Sequence, residues 1–476
     1  MDFIGRKREL GELSGLLKKS SASLVVIKGR RRIGKSRLAE EFAKSFSKSF
    51  LFTGVPPEEG VTAHDQRTEF ARQMRRYGIP MLNPDDWGDL FQDLAIYCKQ
   101  GRILIILDEI TWMGSQDPTF LPKLKTLWDT HFKKNSKLIV ILSGSNSVWI
   151  DKNILSSTGF LGRLSYQLKL EELPLYRCNE FWGSNRDQIA PYEKFKILSV
   201  IGGVPRYLEE IRTDSSAEKN LYTMAYRPTG ILFNDFDRIF SDLFQKRALI
   251  YKEIISHMSY GAPTMEELVS SLGRTKGGDM SNYLEELEES GFVKREIQWD
   301  FKNARELRLG RYRVWDNYIR FYLKYIQPYY NRIKEEKVSG LPKGWSSLMG
   351  LQFENLVLKN SLSIYRLLGL SVDEVVWSGP YFQSAGYHKK SCQIDFLIQT
   401  KYNVLYLCEV KFSEKEISSE IIPEVLQKAE KLIIPRGFSY RFVLICVNGV
   451  NPKIEEKDFF SHIIDFSQLL QNSEYL

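Results

Sequence analysis

The stretch LVVIKGRRRIGKSRLAEEFAKSF, beginning at Leu24, constrains the fold of this chain more than any other. An apolar strand, Leu24 to Ile27, runs into Gly29-x-x-x-x-Gly34-Lys35-Ser36, and an amphipathic helix follows. Each part meets a demand of a bound triphosphate. The glycines let backbone N–H groups curl around phosphates, and the helix start presents its positive dipole end to them. Lys35 reaches the β- and γ-phosphates, and Ser36 offers a hydroxyl to Mg²⁺. The stretch predicts an α/β P-loop NTPase sheet, with ATP held by Gly29, Arg30, Arg31, Arg32, Ile33, Gly34, Lys35, Ser36 and Arg37.

A second apolar strand, GRILIILDEI, ends in Asp108-Glu109. Two adjacent carboxylates at a strand mouth suit hydrolysis, with Asp108 holding Mg²⁺ directly or through water and Glu109 polarising the attacking water. A third, KLIVILSGSNSVW, ends in small polar residues; Ser145 or Asn146 either senses the γ-phosphate or belongs to a polar loop after a buried strand.

The order of these motifs carries a resemblance. FIGRKREL, GRRRIGKSR, LDEI, ILSGSNS, GFLGRLSYQLKLEEL and GGVPRYLEE follow one another as in the archaeal-type ATPases of the STAND group, relatives of the AAA+ proteins. The resemblance implies that Phe3 to Arg6 line the adenine pocket and that Arg163 is an arginine finger or phosphate sensor, the alternative being a structural ion pair. It also implies that Gly203-Val204-Pro205 is the GxP motif of a helical lid, with Pro205 near the nucleotide; the alternative is a simple turn. Longer members append a winged helix and a nuclease-like domain.

A chain of 476 residues exceeds what one core supports; at about 150 residues per domain it predicts roughly three. The balance of 67 basic against 59 acidic residues leaves a net charge of +8, which admits a polyanionic partner without requiring one. The first residues lack the apolar core of a signal peptide, and apolar runs are strand-sized, so the expectation is a cytoplasmic protein with no membrane partner. The cysteines at 98, 178, 392, 408 and 446 form no CxxC or Cys/His cluster, which speaks against structural zinc and for buried, reduced thiols.

Residues 174–244 show helical apolar spacing and suit the lid. Residues 245–315 read as three helices followed by two strands, the order of a winged helix. The third of these helices carries Glu285, Glu286, Glu288 and Glu289, which repel phosphates; only Arg274 and Lys276 before it are basic. That face favours a packing or dimerising module over sequence-specific DNA reading. Leading into the connector, 316–345, helical spacing sets Trp315, Ile319, Tyr322 and Ile326 on one face, which favours a buried connecting helix over a base-stacking surface.

The last segment, 346–476, holds QIDFLIQTKYNVLYLCEVKF, a hairpin with three charges among buried-strand residues. A turn at Lys401-Tyr402-Asn403 sets Asp395 opposite Glu409, with Cβ atoms about 5 Å apart, and Lys411 on the same face. Such a pair grips a divalent ion while the lysine steadies a phosphate or water, and Glu354 on the preceding helix adds a ligand. The pattern resembles the PD-(D/E)xK nuclease core, with Glu409-Val410-Lys411 in the (D/E)xK place and Ile394 where proline is expected. On the following helix, Glu424, Gln427 and Lys428 either approach this site or form a solvated face.

The expectation is a P-loop ATPase core (1–173), lid, winged helix, connector and restriction-endonuclease-like domain, using ATP and Mg²⁺ and acting on nucleic acid, foremost DNA. The alternative is an ATP-driven signalling switch, homo-oligomeric when ATP binds, whose nuclease-like domain is inactive and holds a protein partner or DNA.

Overall fold

A computed structural model describes residues 3–56, 60–80, 84–274, 278–385 and 390–471. The chain forms two compact units, one comprising Met1–Glu172 with Arg238–Ala248 and Glu289–Gly291, the other the remainder.

In the first unit, β1 (Ser23–Lys28) leads into α1 (Lys35–Ala43), followed by β2 (Lys48–Thr53), β3 (Ile103–Asp108), β4 (Leu138–Gly144) and β5 (Leu164–Lys169). The strands lie in the order β2-β3-β4-β1-β5, all parallel. β3 and β4 are buried at every residue. Such strands are apolar at consecutive positions because helices cover both sheet faces. Leu24 and Val26 pack into one core with Phe70, Trp87 and Phe91, and Val25 and Ile27 into the opposite core with Leu38 and Phe42. The C-terminal ends of β1, β3 and β4 thus converge on one edge, where open parallel sheets bind ligands.

The second unit begins with helices that include α2 (Pro191–Ile201), buried from Lys194 onward. Then come α3 (Ala248–Met258), α4 (Met265–Ser271), α5 (Gly278–Glu289) and the antiparallel hairpin β6 (Val293–Asp300) and β7 (Arg305–Val314). Acids on α5 are engaged: Glu286 accepts from Tyr251 and Glu288 from the Arg295 backbone N–H at 3.1 Å. Arg274 pairs with Glu253 at 3.3 Å; Lys276 lies outside the described residues. In the connector, Ile319, Tyr322 and Ile326 are buried, whereas Trp315 precedes Asp316, which caps the helix Asn317–Phe321. Trp315 is therefore not part of that helical face.

After α6 (Met349–Lys359) comes a second sheet of β8 (Val375–Gln383), β9 (Cys392–Thr400), β10 (Val404–Lys411), β11 (Ser439–Cys446) and β12 (His462–Asp465). Its order is β12-β11-β10-β9-β8. β8, β9 and β10 are antiparallel neighbours. α7 (Ile421–Lys431) connects β10 to β11, which runs parallel to it. The β6–β7 hairpin docks on this sheet: Trp299 stacks on Trp377 at 5.2 Å and donates to Gln399 at 2.7 Å. Among the described residues no helix is long and apolar enough to cross a membrane. All five cysteines are buried and unbridged.

Candidate functional site

The turn after β1 needs glycine at its first position. Gly29 has φ +153, and a Cβ there would stand 2.5 Å from the Leu170 carbonyl oxygen. The loop then swings into α1, burying Ile33 and Lys35. Lys35 Nζ donates to the Arg30 carbonyl at 3.2 Å and to Ser145 Oγ at 2.8 Å. Burial lowers its pKa, opposed by the charges of Glu109 and Asp108. Ser145 Oγ in turn donates to Glu109 Oε1 at 2.7 Å, and its backbone N–H donates to Oε2 at 3.2 Å. Lys35, Ser145 and Glu109 therefore form one chain of bonds across the ends of α1, β4 and β3. Ser36 Oγ donates to Asp108 Oδ2 at 2.6 Å. These groups fit a Mg²⁺-bound triphosphate: a hydroxyl beside a carboxylate, a buried ammonium, and a second carboxylate one residue on.

Of the two polar residues after β4, Ser145 is the one at this site. The Asn146 side chain caps a helical turn, accepting from the Trp149 N–H at 2.9 Å. Two loop arginines are paired, Arg30 with Glu172 at 3.0 Å and Arg31 with Asp242; the more exposed Arg37, on α1, lies within 3.9 Å of Glu40. Arg32 adopts a left-handed φ of 70. Arg6 is a contributor that sequence reasoning placed only near adenine. Its guanidinium donates to the Ile33 carbonyl at 3.2 Å and to that of Glu171, bracing the phosphate loop, while Phe3 packs against the sheet core.

Arg163 is held by Asp129, its Nε donating to Oδ1 at 3.0 Å and to Oδ2 at 3.2 Å and an Nη donating to Oδ2 at 2.8 Å. The guanidinium keeps the Asp129 carboxyl well below the usual carboxylate range. That is the geometry of a structural ion pair. Pro205 belongs to the second unit, where it opens a short helix. Before it, the Gly203 backbone approaches Leu173 so closely that a Cβ would lie 2.0 Å from the Leu173 carbonyl oxygen.

On the second sheet, Leu407 pairs with Leu397 and Cys408 with Phe396, so the register brings Asp395 to Glu409. Asp395 Oδ2 accepts from the Val410 N–H at 3.0 Å. Burial, and then the Glu409 charge, push the Asp395 carboxyl up to about 7. The ammonium beside the pair is Lys428, not Lys411. Lys428 Nζ donates to Glu409 Oε2 at 2.5 Å, whereas Lys411, at the open end of β10, reaches Glu424 on α7 at 3.1 Å. Periodicity fixes the sheet face of Lys411 but not the reach of a long side chain at a strand end. Glu354 acts on Asp395 through its charge, but its carboxylate accepts from Arg313 at 2.7 Å. Arg313, buried, also donates to buried Glu296. Among the described residues no group of three or more His, Cys, Asp or Glu converges to hold a metal ion. The site thus presents two carboxylates, with Lys428 beside them.

The fold and the phosphate-loop bonds define the class: the N-terminal part of the chain is a P-loop ATPase domain. Comparison with known proteins agrees. Residues 3–211 match the family model described as "ATPase domain predominantly from Archaea". An uncharacterized protein of Methanocaldococcus jannaschii is 26% identical over 364 residues, spanning 74% of this chain and 76% of its own. Among solved structures, a Walker-type ATPase of Pyrococcus abyssi superposes with a TM-score of 0.50 at 16% identity, covering 68% of this chain and 96% of that one. At that identity the likeness is one of fold.

Proposed function

We propose that the chain hydrolyses ATP and couples the cycle to a metal-dependent, nuclease-like domain in its second unit that acts on nucleic acid. The observation that carries the ATPase half is the bonded chain Lys35–Ser145–Glu109 beside the Ser36–Asp108 pair. Lys35 would bind the terminal phosphates. Ser36 and Asp108 would hold Mg²⁺, which when bound withdraws charge from phosphate oxygens. Glu109, oriented by Ser145, is the base that takes the proton of the attacking water. Glu109→Gln keeps the shape and removes the base, so it should retain nucleotide while turnover falls by about 10²–10⁴-fold. Normal turnover in that variant would remove Glu109 from the role.

The reading of the second unit rests on the order α6, antiparallel β8-β9-β10, α7 and parallel β11, with Asp395 and Glu409 facing each other across the hairpin. That order is consistent with the helix–hairpin–helix–strand arrangement expected of a PD-(D/E)xK nuclease, and α3–α5 with β6–β7 would form a winged helix before it. Cleavage would be assayed on plasmid, linear and single-stranded substrates with Mg²⁺ or Mn²⁺; activity that persists in Asp395→Ala ends the reading. One observation favours the alternative of an inactive binding domain governed by an ATP-driven switch: the Lys428 ammonium already compensates Glu409. Metal-independent nucleic-acid binding without cleavage, together with ATP-dependent assembly, would support it.

A further inference from the structure

Between the β6–β7 hairpin and the second sheet lies a cavity of about 180 Å³, room for several waters or a tetrahedral oxyanion. Three guanidiniums line it, those of Arg311, Arg313 and Arg320, against two carboxylates, Glu296 and Glu354. Both carboxylates are taken up by Arg313. The other two arginines have no carboxylate within ion-pair distance among the described residues. Arg320 is 1% exposed and donates only to neutral oxygens, the carbonyls of Leu351 at 3.1 Å and Val314 at 2.6 Å and the Gln352 amide at 3.2 Å. Its Nε has no hydrogen-bond partner. Burial, and then the Arg313 charge, lower its pKa to about 9 against the opposing charges of Glu354 and Glu296. Arg311, half-buried, lies over the Phe382 ring, its guanidinium carbon 4.5 Å from the ring centroid.

Three guanidiniums against two carboxylates leave the cleft with a surplus of positive charge, which an anion would balance. The cavity also adjoins the carboxylate pair. Gln393 lines it and pairs with Phe382 across β8–β9; two residues further along β9, on the same face, is Asp395. Glu354 lines it too, and its charge is felt at Asp395.

We propose that this cleft is a phosphate-binding site, in which Arg311 and Arg320 take a phosphate group of a nucleic-acid strand and position it beside Asp395 and Glu409. The choice of a strand rests on the nuclease-like reading above. The same phosphate chemistry is offered by a free phosphate, so the test separates the two sources. Arg311 grips from the mouth and is the residue to vary; Arg313 stays with its glutamates and fixes the hairpin.

The experiment uses the full chain carrying Lys35→Ala, so that the nucleotide site does not contribute, in a metal chelator, so that nothing is cut. Fluorescence anisotropy follows short labelled single-stranded and duplex oligonucleotides over a salt series, with inorganic phosphate as competitor. Arg311→Ala should weaken binding about tenfold and flatten the log K against log salt slope by about 0.7–0.9. Arg311→Lys should restore the slope. Arg308→Ala, exposed on the same hairpin, should leave both unchanged. Displacement by phosphate at low millimolar concentration assigns the site to a free or terminal phosphate; binding that resists phosphate yet depends on Arg311 assigns it to the strand backbone. Equal affinity and slope in wild type and Arg311→Ala would overturn the proposal, as would failure of both probes to bind. The two readings fail separately: no metal-dependent cleavage with the Arg311 effect intact removes the nuclease and keeps the cleft, and cleavage indifferent to Arg311 does the reverse.

Discussion

Replacing Arg313 by methionine asks whether Glu354 is held for structure or kept for chemistry. The Arg313 side chain is 4% exposed and stands between Glu296, 5% exposed, and Glu354, 18% exposed. Methionine keeps most of the stem's packing and removes the charge, stranding two carboxylates. Removing one partner of a buried ion pair costs about 3–5 kcal/mol. Glu354 is partly wet and regains some hydration, so a loss near the lower end, about 3 kcal/mol at pH 8, is expected. The loss has a definite pH sign. In the variant, a stranded and desolvated Glu296 has its folded-state pKa raised above the unfolded value. Between the two values the folded state binds more protons, so the variant loses stability as pH rises through that window and regains it as pH falls. The deficit relative to wild type should therefore shrink from pH 8 to pH 5. Pairing Arg313→Met with Glu296→Leu should recover most of the loss, because replacing both partners strands less charge. Urea unfolding followed by tryptophan emission reads this, since Trp299 and Trp377 stack where the hairpin meets the sheet. A deficit under about 1 kcal/mol at pH 8, or one that widens in acid, would refute the reasoning.

Gly203→Ala should destabilise the second unit by about 2–3 kcal/mol, because its Cβ would meet the Leu173 backbone at 2.0 Å; an unchanged thermal midpoint would contradict this. Lys428→Met removes the cation beside Glu409 and should tighten Mn²⁺ binding about tenfold in calorimetry if the carboxylate pair is a metal site; unchanged affinity would say that Mn²⁺ does not see the pair. Arg163→Ala breaks the contact with Asp129 and should lower thermal stability while turnover per folded molecule stays at the wild-type level. A large fall in turnover without loss of stability would instead mark Arg163 as a phosphate-sensing group.

The parts of this architecture legible in the sequence are those written in local spacing. Consecutive apolar residues in β3 and β4 announce a sheet buried on both faces, and the glycine-lysine-serine run between strand and helix announces the phosphate loop before any tertiary contact is known. Period two and a three-residue turn likewise set Asp395 opposite Glu409. Bonds between distant elements are not written that way. Nothing in the spacing says that Ser145 bridges Lys35 to Glu109, that Arg6 braces the loop at Ile33, or that Lys428 rather than Lys411 meets Glu409, since each depends on how one element is rotated against another. The hairpin shows the same limit with a functional consequence. In RELRLGRYRV the arginines fall at 305, 308, 311 and 313, a spacing that does not say which of them is buried, yet Arg313 is buried in an ion network and Arg311 lies over an aromatic ring. α5 carries the acids, while the hairpin carries the arginines. A polyanion approaching the second unit would accordingly be drawn to the arginines of the hairpin and repelled from α5.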